Sequence, residues 1–457
     1  MRSSMRFTMQ CMKTREAKKR TRVAEAPPLG GRLRQLRTAA GLTQSDLAGD
    51  RFSKEYVSQI ERGKTRPTRE TIEWLATRLG VDPGFLTSGV ATDDRSRLEG
   101  ALARAEALYE AGDDAEAASA FEMLVPAARA TGSPELQVRA FVGAGLAKMR
   151  LSDHRVALEL LSEARVLTES GAFSDVERAD VLLRLGGCRY QLNSTQSAIA
   201  LFDEALALAE RSGMPCDALK ADILSWRSRC WRRQRDYEAA RDDVERALEL
   251  AQGVDDLRTI GVAYFQASLV ADRQGHWVLA RTYAERAREA YAQLADRVHV
   301  GELTNNLGGL NFLLGRTDDA IDLLKEAFAI ALETGRNGDA GRAASSLAQV
   351  NLRTGDPMQA EEQARQALRL LDGRVDYIDE VGNAQLVLGR ALLEQGRFDE
   401  ADAAFRDAEL SFTDLGSGSH RAAVWVARGD LAARRGDHKS AADLYRSAAE
   451  ALQDVHF

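Results

Sequence analysis

Small and apolar positions repeat along most of this chain with a period close to 40 residues. From residue 117 onwards an alanine returns at intervals of 40 to 42 residues. The series is Ala117, Ala157, Ala198, Ala240, Ala280, Ala320, Ala360, Ala401 and Ala441. Nine returns of one pattern predict a solenoid, in which each structural unit packs mainly against its neighbours.

The residues around each alanine predict two helices joined by a turn. A glycine or polar residue lies five positions before the alanine, as at Gly315, and another alanine lies seven positions after it, as at Ala327. Small residues twelve positions before the alanine, such as Gly308, allow two helices to approach closely. This unit resembles the tetratricopeptide repeat, which implies a right-handed superhelix with a groove lined by the first helix of each repeat. Because the basic unit has 34 residues, we expect a longer second helix or inter-repeat loop.

A different pattern occupies residues 29–87, where apolar residues at helical spacing predict five short helices around one small core. Thr43 and Ser53 can each cap a helix. The helix after Ser53 has an apolar inner face of Tyr56, Val57 and Ile60. Its outer face consists of Lys54, Glu55, Ser58 and Gln59. Such polar side chains can hydrogen-bond to base edges in the DNA major groove, which admits one α-helix.

The stretch GLTQSDLAGDRFSKEYVSQIERGKTRP, residues 41–67, resembles the helix-turn-helix of the phage-repressor-like Xre family of bacterial regulators. It carries TQ-x-x-LA in the first helix, then V-S-x-I-E-x-G and a basic loop that ends at Pro67. The likeness extends upstream to LRQLRTAAG and downstream to IEWLATRLGVDPGFL. It therefore implies a five-helix, lambda-repressor-like domain that binds DNA.

The resemblance also implies roles for individual residues. DNA contacts are expected from Gln44, Ser53, Lys54, Glu55, Ser58, Gln59, Lys64, Thr65 and Arg66. In this family the recognition helix reads bases from its N-terminal end, so its outer face would read bases, while Gln44 and the loop residues 64–66 would contact phosphates. Arg37 and Glu61 match the internal ion pair of the family.

The segment before the recognition helix departs from the family pattern, and the roles of Lys54 and Glu55 in reading DNA are open to alternatives. The family usually has a glycine before this helix, whereas this chain has Asp50, Arg51 and Phe52. Glu55 could accept a hydrogen bond from a cytosine amino group or only repel wrong sequences. Lys54 and Glu55 could also form no more than a solvated pair.

Charge is unevenly distributed along the 457 residues. Residues 1–88 hold 18 Lys and Arg against 9 Asp and Glu, whereas the rest of the chain holds 44 against 60. A basic head on an acidic body is expected when only the head meets a polyanion. We therefore divide the chain into a disordered basic arm (1–28), the DNA-binding domain (29–87), a linker (88–96) and the repeats (97–457).

Several functional classes find no support in the sequence. The four cysteines show no CxxC pairing and the six histidines no metal-binding spacing, so we expect neither a metal nor another cofactor. No apolar run is long enough to span a membrane. Without a catalytic constellation or a glycine-rich phosphate loop, the sequence favours a cytoplasmic all-α protein that is not an enzyme.

Polar and aromatic residues interrupt the alanine-rich pattern on several predicted first helices. The densest run is SWRSRCWRRQRDY, residues 225–237. Candidate effector-binding residues are Arg229, Arg232, Arg233, Asn305, Asn306, Gln349, Arg353 and Arg390. Asparagine amides can bind the backbone of an extended peptide, and arginine can bind a carboxylate through two hydrogen bonds. In the alternative, the tryptophans pack in the core, the arginines pair with neighbouring acids and the asparagines are ordinary surface.

The architecture as a whole resembles bacterial peptide-pheromone receptors, in which a peptide in the repeat groove changes how two DNA-binding heads are held. It implies a homodimeric transcriptional regulator that binds a palindromic double-stranded operator and a peptide or protein effector. The alternative is an interaction scaffold with an accessory DNA-tethering domain. We expect that replacing Arg229 and Arg233 by glutamate weakens effector binding without affecting folding, because both are predicted on a helix surface.

Overall fold

The computed structural model describes residues 29–88, 92–414 and 418–453. Within these ranges the chain forms helices and turns and contains no strand, which confirms the all-α prediction. The predicted basic arm lies outside the described residues. The chain divides into two compact units, Met1–Phe173 and Ser174–Phe457.

The first unit begins with five short helices. They are α1 (Leu29–Ala39), α2 (Gln44–Ala48), α3 (Lys54–Glu61), α4 (Arg69–Leu79) and α5 (Pro83–Ser88). Their shared core contains Leu33, Leu47, Val57, Ile60, Leu75 and Leu86, each at most 1% exposed. Two helix pairs complete the unit: α6 (Thr92–Ala111) with α7 (Asp114–Thr131), and α8 (Pro134–Arg150) with α9 (His154–Thr168).

The second unit consists of seven further helix pairs. They are α10 (Asp175–Gln191) and α11 (Thr195–Arg211); α12 (Asp217–Arg233) and α13 (Tyr237–Gln252); α14 (Leu257–Arg273) and α15 (Trp277–Gln293); α16 (Arg297–Leu313) and α17 (Thr317–Glu333); α18 (Asn337–Arg353) and α19 (Pro357–Leu371); α20 (Ile378–Glu394) and α21 (Phe398–Asp414); α22 (Gly418–Arg434) and α23 (His438–Gln453). A short 3-10 turn, Val375–Tyr377, precedes α20. The described ranges thus contain the nine repeats that the alanine period predicts.

The two helices of a repeat have nearly equal length. In α10 to α23 every first helix has 17 residues and every second helix has 15 to 17. The sequence predicts a longer second helix or inter-repeat loop, and the structure shows first helices that are at least as long as the second ones. Two helices of this length already account for the 34 residues of the basic repeat, so both contribute to the longer period.

The turn inside each repeat has the conformation that its sequence predicts. The residue five positions before each periodic alanine has a positive φ between 58° and 86°. These residues are Gly112, Ser152, Asn193, Arg235, Gly275, Gly315, Gly355, Gly396 and Gly436. Glycine adopts this left-handed conformation without the steric penalty of a Cβ atom, which explains why six of the nine are glycine.

Small residues bring the two helices of a repeat together. The nine periodic alanines are at most 4% exposed. In α16, a Cβ atom on Gly308 would lie 2.6 Å from the side chain of Leu324 in α17. Gly186 faces Phe202 and Gly389 faces Phe405 in the same way. Each glycine therefore makes room for a large side chain of the second helix.

Candidate nucleic-acid interface and effector cleft

Side-chain caps define where α2 and α3 begin. Thr43 Oγ1 accepts a hydrogen bond from the Asp46 amide at 3.1 Å, and Asp46 Oδ2 accepts one from the Thr43 amide at 2.8 Å. Ser53 Oγ accepts from the Tyr56 amide at 3.2 Å. Both predicted caps are confirmed, and the Asp46 contribution completes a capping box.

The inner face of α3 is anchored on α1. Val57 is fully buried and Ile60 is 1% exposed. A Cβ atom on Gly30 would lie only 2.4 Å from the Ile60 carbonyl oxygen, so α1 approaches the end of α3 as closely as a glycine permits. This contact fixes the depth at which α3 sits against the rest of the domain.

An ion pair fixes the C-terminal end of α3. Arg37 Nε donates to Glu61 Oε1 at 2.6 Å and Arg37 Nη2 donates to Glu61 Oε2 at 3.3 Å, with side chains 11% and 3% exposed. Gln44 Nε2 donates to the same carboxylate at 2.7 Å. Burial opposes ionisation of Glu61, but the hydrogen bonds from Arg37 and Gln44 outweigh it and lower its pKa. The amide nitrogen of Gln44, expected on a phosphate, is thus engaged inside the domain.

The turn before α3 is held by an aromatic cluster. Phe52 is half-buried, with its ring centroid 5.1 Å from that of Trp74 and 5.3 Å from that of Tyr56. Gly49 ends α2 with φ of 52°. Phe52 therefore gives the turn an apolar anchor where the sequence showed only a departure from the usual glycine.

The outer face of α3 and the loop after it form one polar surface. Lys54, Glu55 and Gln59 are exposed and Ser58 is half-buried, while Ser53 is exposed and caps the helix. In the loop, Lys64 and Arg66 are exposed, and the half-buried Thr65 donates through Oγ1 to Gln59 Oε1 at 3.1 Å. Thr65 orients a candidate base-reading amide, so the structure brings the two predicted groups together.

An arginine at the end of a first helix ties that repeat to the preceding one. Arg233 Nη1 donates to the Tyr190 carbonyl and to Asn193 Oδ1, both at 2.9 Å, and its guanidinium lies 4.0 Å from the Tyr190 ring centroid. Arg150 bonds the Tyr109 carbonyl at 2.7 Å, and Arg434 bonds the Leu393 carbonyl at 3.2 Å. Arg233 therefore has a structural role that the sequence did not reveal, and the expectation that its replacement leaves folding unaffected needs correction.

Four of the candidate effector residues line one cleft. Asn305, Asn306, Gln349 and Arg353 surround a space of about 370 Å³ together with Arg273. The cleft lies across α14, α16 and α18. Its lining offers amide donors and acceptors beside two guanidinium groups, and the carboxylate of Asp272 also lines it.

The remaining candidates lie elsewhere. Arg390 lines a second cleft of about 450 Å³ with Asp430 and Tyr445. Arg229 lies 4.5 Å from the ring centroid of Trp226, which itself packs against Tyr190 and Phe202. Packing thus accounts for Trp226.

The arginine-rich run of α12 also contains a residue outside the set of candidate effector-binding residues. Arg227 donates to the buried Asp243 through Nε at 2.9 Å and Nη2 at 2.5 Å, and to Asp203 through Nη1 at 2.6 Å. Its position on the buried side of the helix is the only signal that distinguishes it from its neighbours. Arg227 is therefore a structural arginine within the candidate run.

In the described ranges the cysteines are buried and potential metal ligands do not cluster. Cys188, Cys216 and Cys230 are buried and form no disulfide, and burial raises the pKa of Cys188 to about 11 and of Cys230 to about 12. No group of three or more potential metal ligands occurs among the residues described. Among them, too, no helix combines the length and apolarity needed to cross a membrane.

Family models match the two parts of this chain separately. A family model described as a helix-turn-helix domain matches residues 28–84. Tetratricopeptide-repeat models match residues 142–215, 300–372, 345–419 and 386–455. The helix-turn-helix regulator y4dJ of Sinorhizobium fredii is 43% identical over 54 residues, which are 12% of this chain and 70% of that protein. The chain therefore belongs to the family of helix-turn-helix transcriptional regulators and carries tetratricopeptide repeats.

Two further relatives are matched over less of their length. The helix-turn-helix regulator DdrOP3 of Deinococcus deserti is 43% identical over 60 residues, or 13% of this chain and 46% of that protein. The regulatory protein AfsR of Streptomyces griseus is 24% identical over 385 residues, or 84% of this chain and 34% of that protein. The chain thus spans about half of one relative and a third of the other.

Two solved structures share the fold. A Rap protein in complex with Competence and Sporulation Factor has a TM-score of 0.57 at 15% identity, over 79% of this chain and 98% of the other. The quorum sensor NprR from B. thuringiensis, in its apo form, has a TM-score of 0.56 at 12% identity, over 78% and 99%. At this identity the likeness concerns the fold alone.

Proposed function

We propose that this protein is a sequence-specific, DNA-binding transcriptional regulator whose repeats bind a peptide or protein effector. The observation that carries the proposal is the exposed outer face of α3, on a helix whose C-terminal end is fixed by the Arg37–Glu61 pair. Lys54, Glu55, Ser58 and Gln59 are the proposed base-reading residues. Lys64, Thr65 and Arg66 provide phosphate contacts, which position the protein without reading sequence.

Two copies of the chain are proposed to bind one palindromic operator in the cytoplasm. One recognition helix makes only a few base contacts, each contributing about 1–3 kcal/mol of discrimination. A symmetric dimer doubles these contacts on a symmetric site. The acidic repeats, repelled by DNA phosphates, then remain available to the effector.

The effector is proposed to bind in the repeats, at the cleft across α14, α16 and α18. Amide side chains such as Asn306 and Gln349 can satisfy both the donors and the acceptors of an extended peptide backbone. Of the two structural neighbours, one is a quorum sensor and the other is in complex with a factor, which supports a ligand-binding role for such repeats.

The proposal is tested with the full-length protein and the DNA upstream of its own gene. Nuclease footprinting should show one protected site, and light scattering should show two protein copies on a DNA fragment that contains it. The same assay on shuffled DNA of equal length is the control. Binding without a discrete footprint, together with capture of partner proteins by the repeats, would favour the interaction scaffold instead.

A further inference from the structure

Buried polar atoms without partners cluster on the first helices of three successive repeats. On α12, α14 and α16, no hydrogen bond to another described residue is made by Ser225 Oγ, Arg232 Nη1, either amide atom of Gln266, or Asn305 Oδ1. Gln266 is only 1% exposed. Buried polar groups are almost always hydrogen-bonded, so such a cluster indicates a place where another molecule supplies partners.

Arginines in the same region lack the ion pairs that are common elsewhere in this unit. Arg227, Arg342 and Arg397 each contact at least one carboxylate. Arg232 and Arg273 have no carboxylate oxygen within 4 Å among the described residues, although Asp272 lies close enough to affect both electrostatically. Burial, together with the neighbouring cations Arg229 and Arg273, lowers the pKa of Arg232 to about 10. The site therefore concentrates positive charge in an acidic array.

The repeat register explains why Arg273 has no aromatic ring beneath its guanidinium among the described residues. The arginine that ends a first helix normally meets the next-to-last residue of the preceding first helix: Arg233 meets Tyr190, and Arg353 lies 5.9 Å from the Phe312 ring centroid. For Arg273 the equivalent residue of the preceding repeat is Arg232. Two cations, close enough to affect each other electrostatically, thus occupy positions at which the neighbouring repeats place an arginine over an aromatic ring.

From this juxtaposition we propose that Arg232 and Arg273 form an anion site that binds a carboxylate of the effector. The inference rests on the proposed effector function and specifies its chemistry. A carboxylate between two guanidinium groups relieves their repulsion and accepts charge-assisted hydrogen bonds from both. Arg273 also lines the cleft with Asn306 and Gln349, so a peptide anchored by its carboxylate extends along these amides. The carboxylate is either the peptide C-terminus or an aspartate or glutamate side chain.

Selection from defined peptides tests the site. The probes are two synthetic pools of randomised linear heptapeptides, one with free and one with amidated C-termini, incubated with the full-length protein and analysed by mass spectrometry after gel filtration. A C-terminal site retains peptides from the free pool only. A side-chain site retains peptides from both pools, enriched at least ten-fold in Asp or Glu. Retention of uncharged or basic peptides, or of none, overturns the inference.

Variants then link the retained peptides to the two arginines. The affinity of a retained peptide should fall at least ten-fold in Arg232→Gln and in Arg273→Gln, and should not change in Arg316→Gln, an exposed arginine at the start of α17. Unchanged affinity in both site variants contradicts the proposal.

Without ligand, Arg273→Met should leave the melting temperature unchanged or higher, because it removes a repelling cation, whereas Arg233→Met should lower it. A drop as large as that of Arg233→Met would show that Arg273 already has a structural partner.

Nuclease footprinting with the same protein preparations distinguishes a failure of this inference from a failure of the proposed function. A discrete DNA site without carboxylate-dependent peptide binding leaves the regulator intact and removes the anion site. Carboxylate-dependent binding without any DNA site keeps the anion site and removes the regulator.

Discussion

Arg37 on α1 and Glu61 at the end of α3 face each other across 2.6 Å between Nε and Oε1, with both side chains largely buried. The pair joins the first helix of the domain to the last residue of the recognition helix. It is therefore a direct link between the stability of the domain and the position of the residues proposed to read DNA.

Removing one partner of this pair should loosen α3. Arg37→Met leaves a buried carboxylate without its cation, at a cost of about 3 kcal/mol. Hydrogen exchange of the peptide that contains α3 should then be roughly 100-fold faster. The control is Arg69→Met, which breaks a surface ion pair with Glu73 and should cost less than about 0.5 kcal/mol. Equal effects of the two changes would contradict the structural role of Arg37.

The same pair should make the domain sensitive to acid. Hydrogen bonds from Arg37 and Gln44 hold the pKa of Glu61 below its ordinary value in the folded state, despite burial. The stabilisation is therefore fully present above the unfolded pKa, about 4.3, and is lost as pH falls through the lower folded pKa. Hydrogen exchange of the peptide that contains α3 is measured at each pH in wild type and in Glu61→Gln. The ratio of the two exchange rates should change below pH 5. A ratio independent of pH would show that Glu61 is not the group responsible.

Two adjacent glycines of α16 should respond in opposite directions to alanine. A Cβ atom on Gly308 would lie 2.6 Å from Leu324, whereas one on Gly309 would meet nothing within 4 Å. Gly308→Ala should lower the free energy of unfolding by about 1–3 kcal/mol through overpacking. Gly309→Ala should raise it by up to about 1 kcal/mol, because alanine favours the helix. Thermal unfolding of the full-length variants measures both, and shifts of the same sign would contradict the packing described.

Arg233 and Arg229 should also differ, although both belong to the same arginine-rich run. Arg233 makes two hydrogen bonds at 2.9 Å to the preceding repeat, and Arg233→Gln should cost about 1–3 kcal/mol. Arg229 only lies over the ring of Trp226, so Arg229→Gln should cost less than about 1 kcal/mol. Chemical denaturation compares them, and an equal loss would argue against the inter-repeat role of Arg233.

The sequence predicted those parts of the fold that depend on local periodicity. The alanine period identified nine repeats, and the residue five positions before each alanine identified turns that later proved left-handed, even at Ser152 and Arg235. Caps at Thr43 and Ser53 were also predictable, because a cap depends on residues only three positions away.

Contacts between distant segments were not predictable in the same way. Nothing near Gly30 in the sequence shows that it lies against the carbonyl of Ile60. Similarly, Arg233 and Arg273 occupy equivalent positions in neighbouring repeats, yet one bonds the preceding repeat and the other lies near the cation Arg232. Their roles depend on the residue that the preceding repeat places opposite them, which a list of exposed polar residues does not show.

DNA binding by one double variant shows whether the outer face of α3 reads DNA sequence. Binding of wild type and of the double variant Lys54→Ala with Gln59→Ala is measured on the footprinted site and on shuffled DNA, at two salt concentrations. We expect the variant to lose its preference for the site and to keep weak, salt-sensitive binding to both DNAs through phosphate contacts. An unchanged preference for the site would contradict the assignment of α3 as the recognition helix.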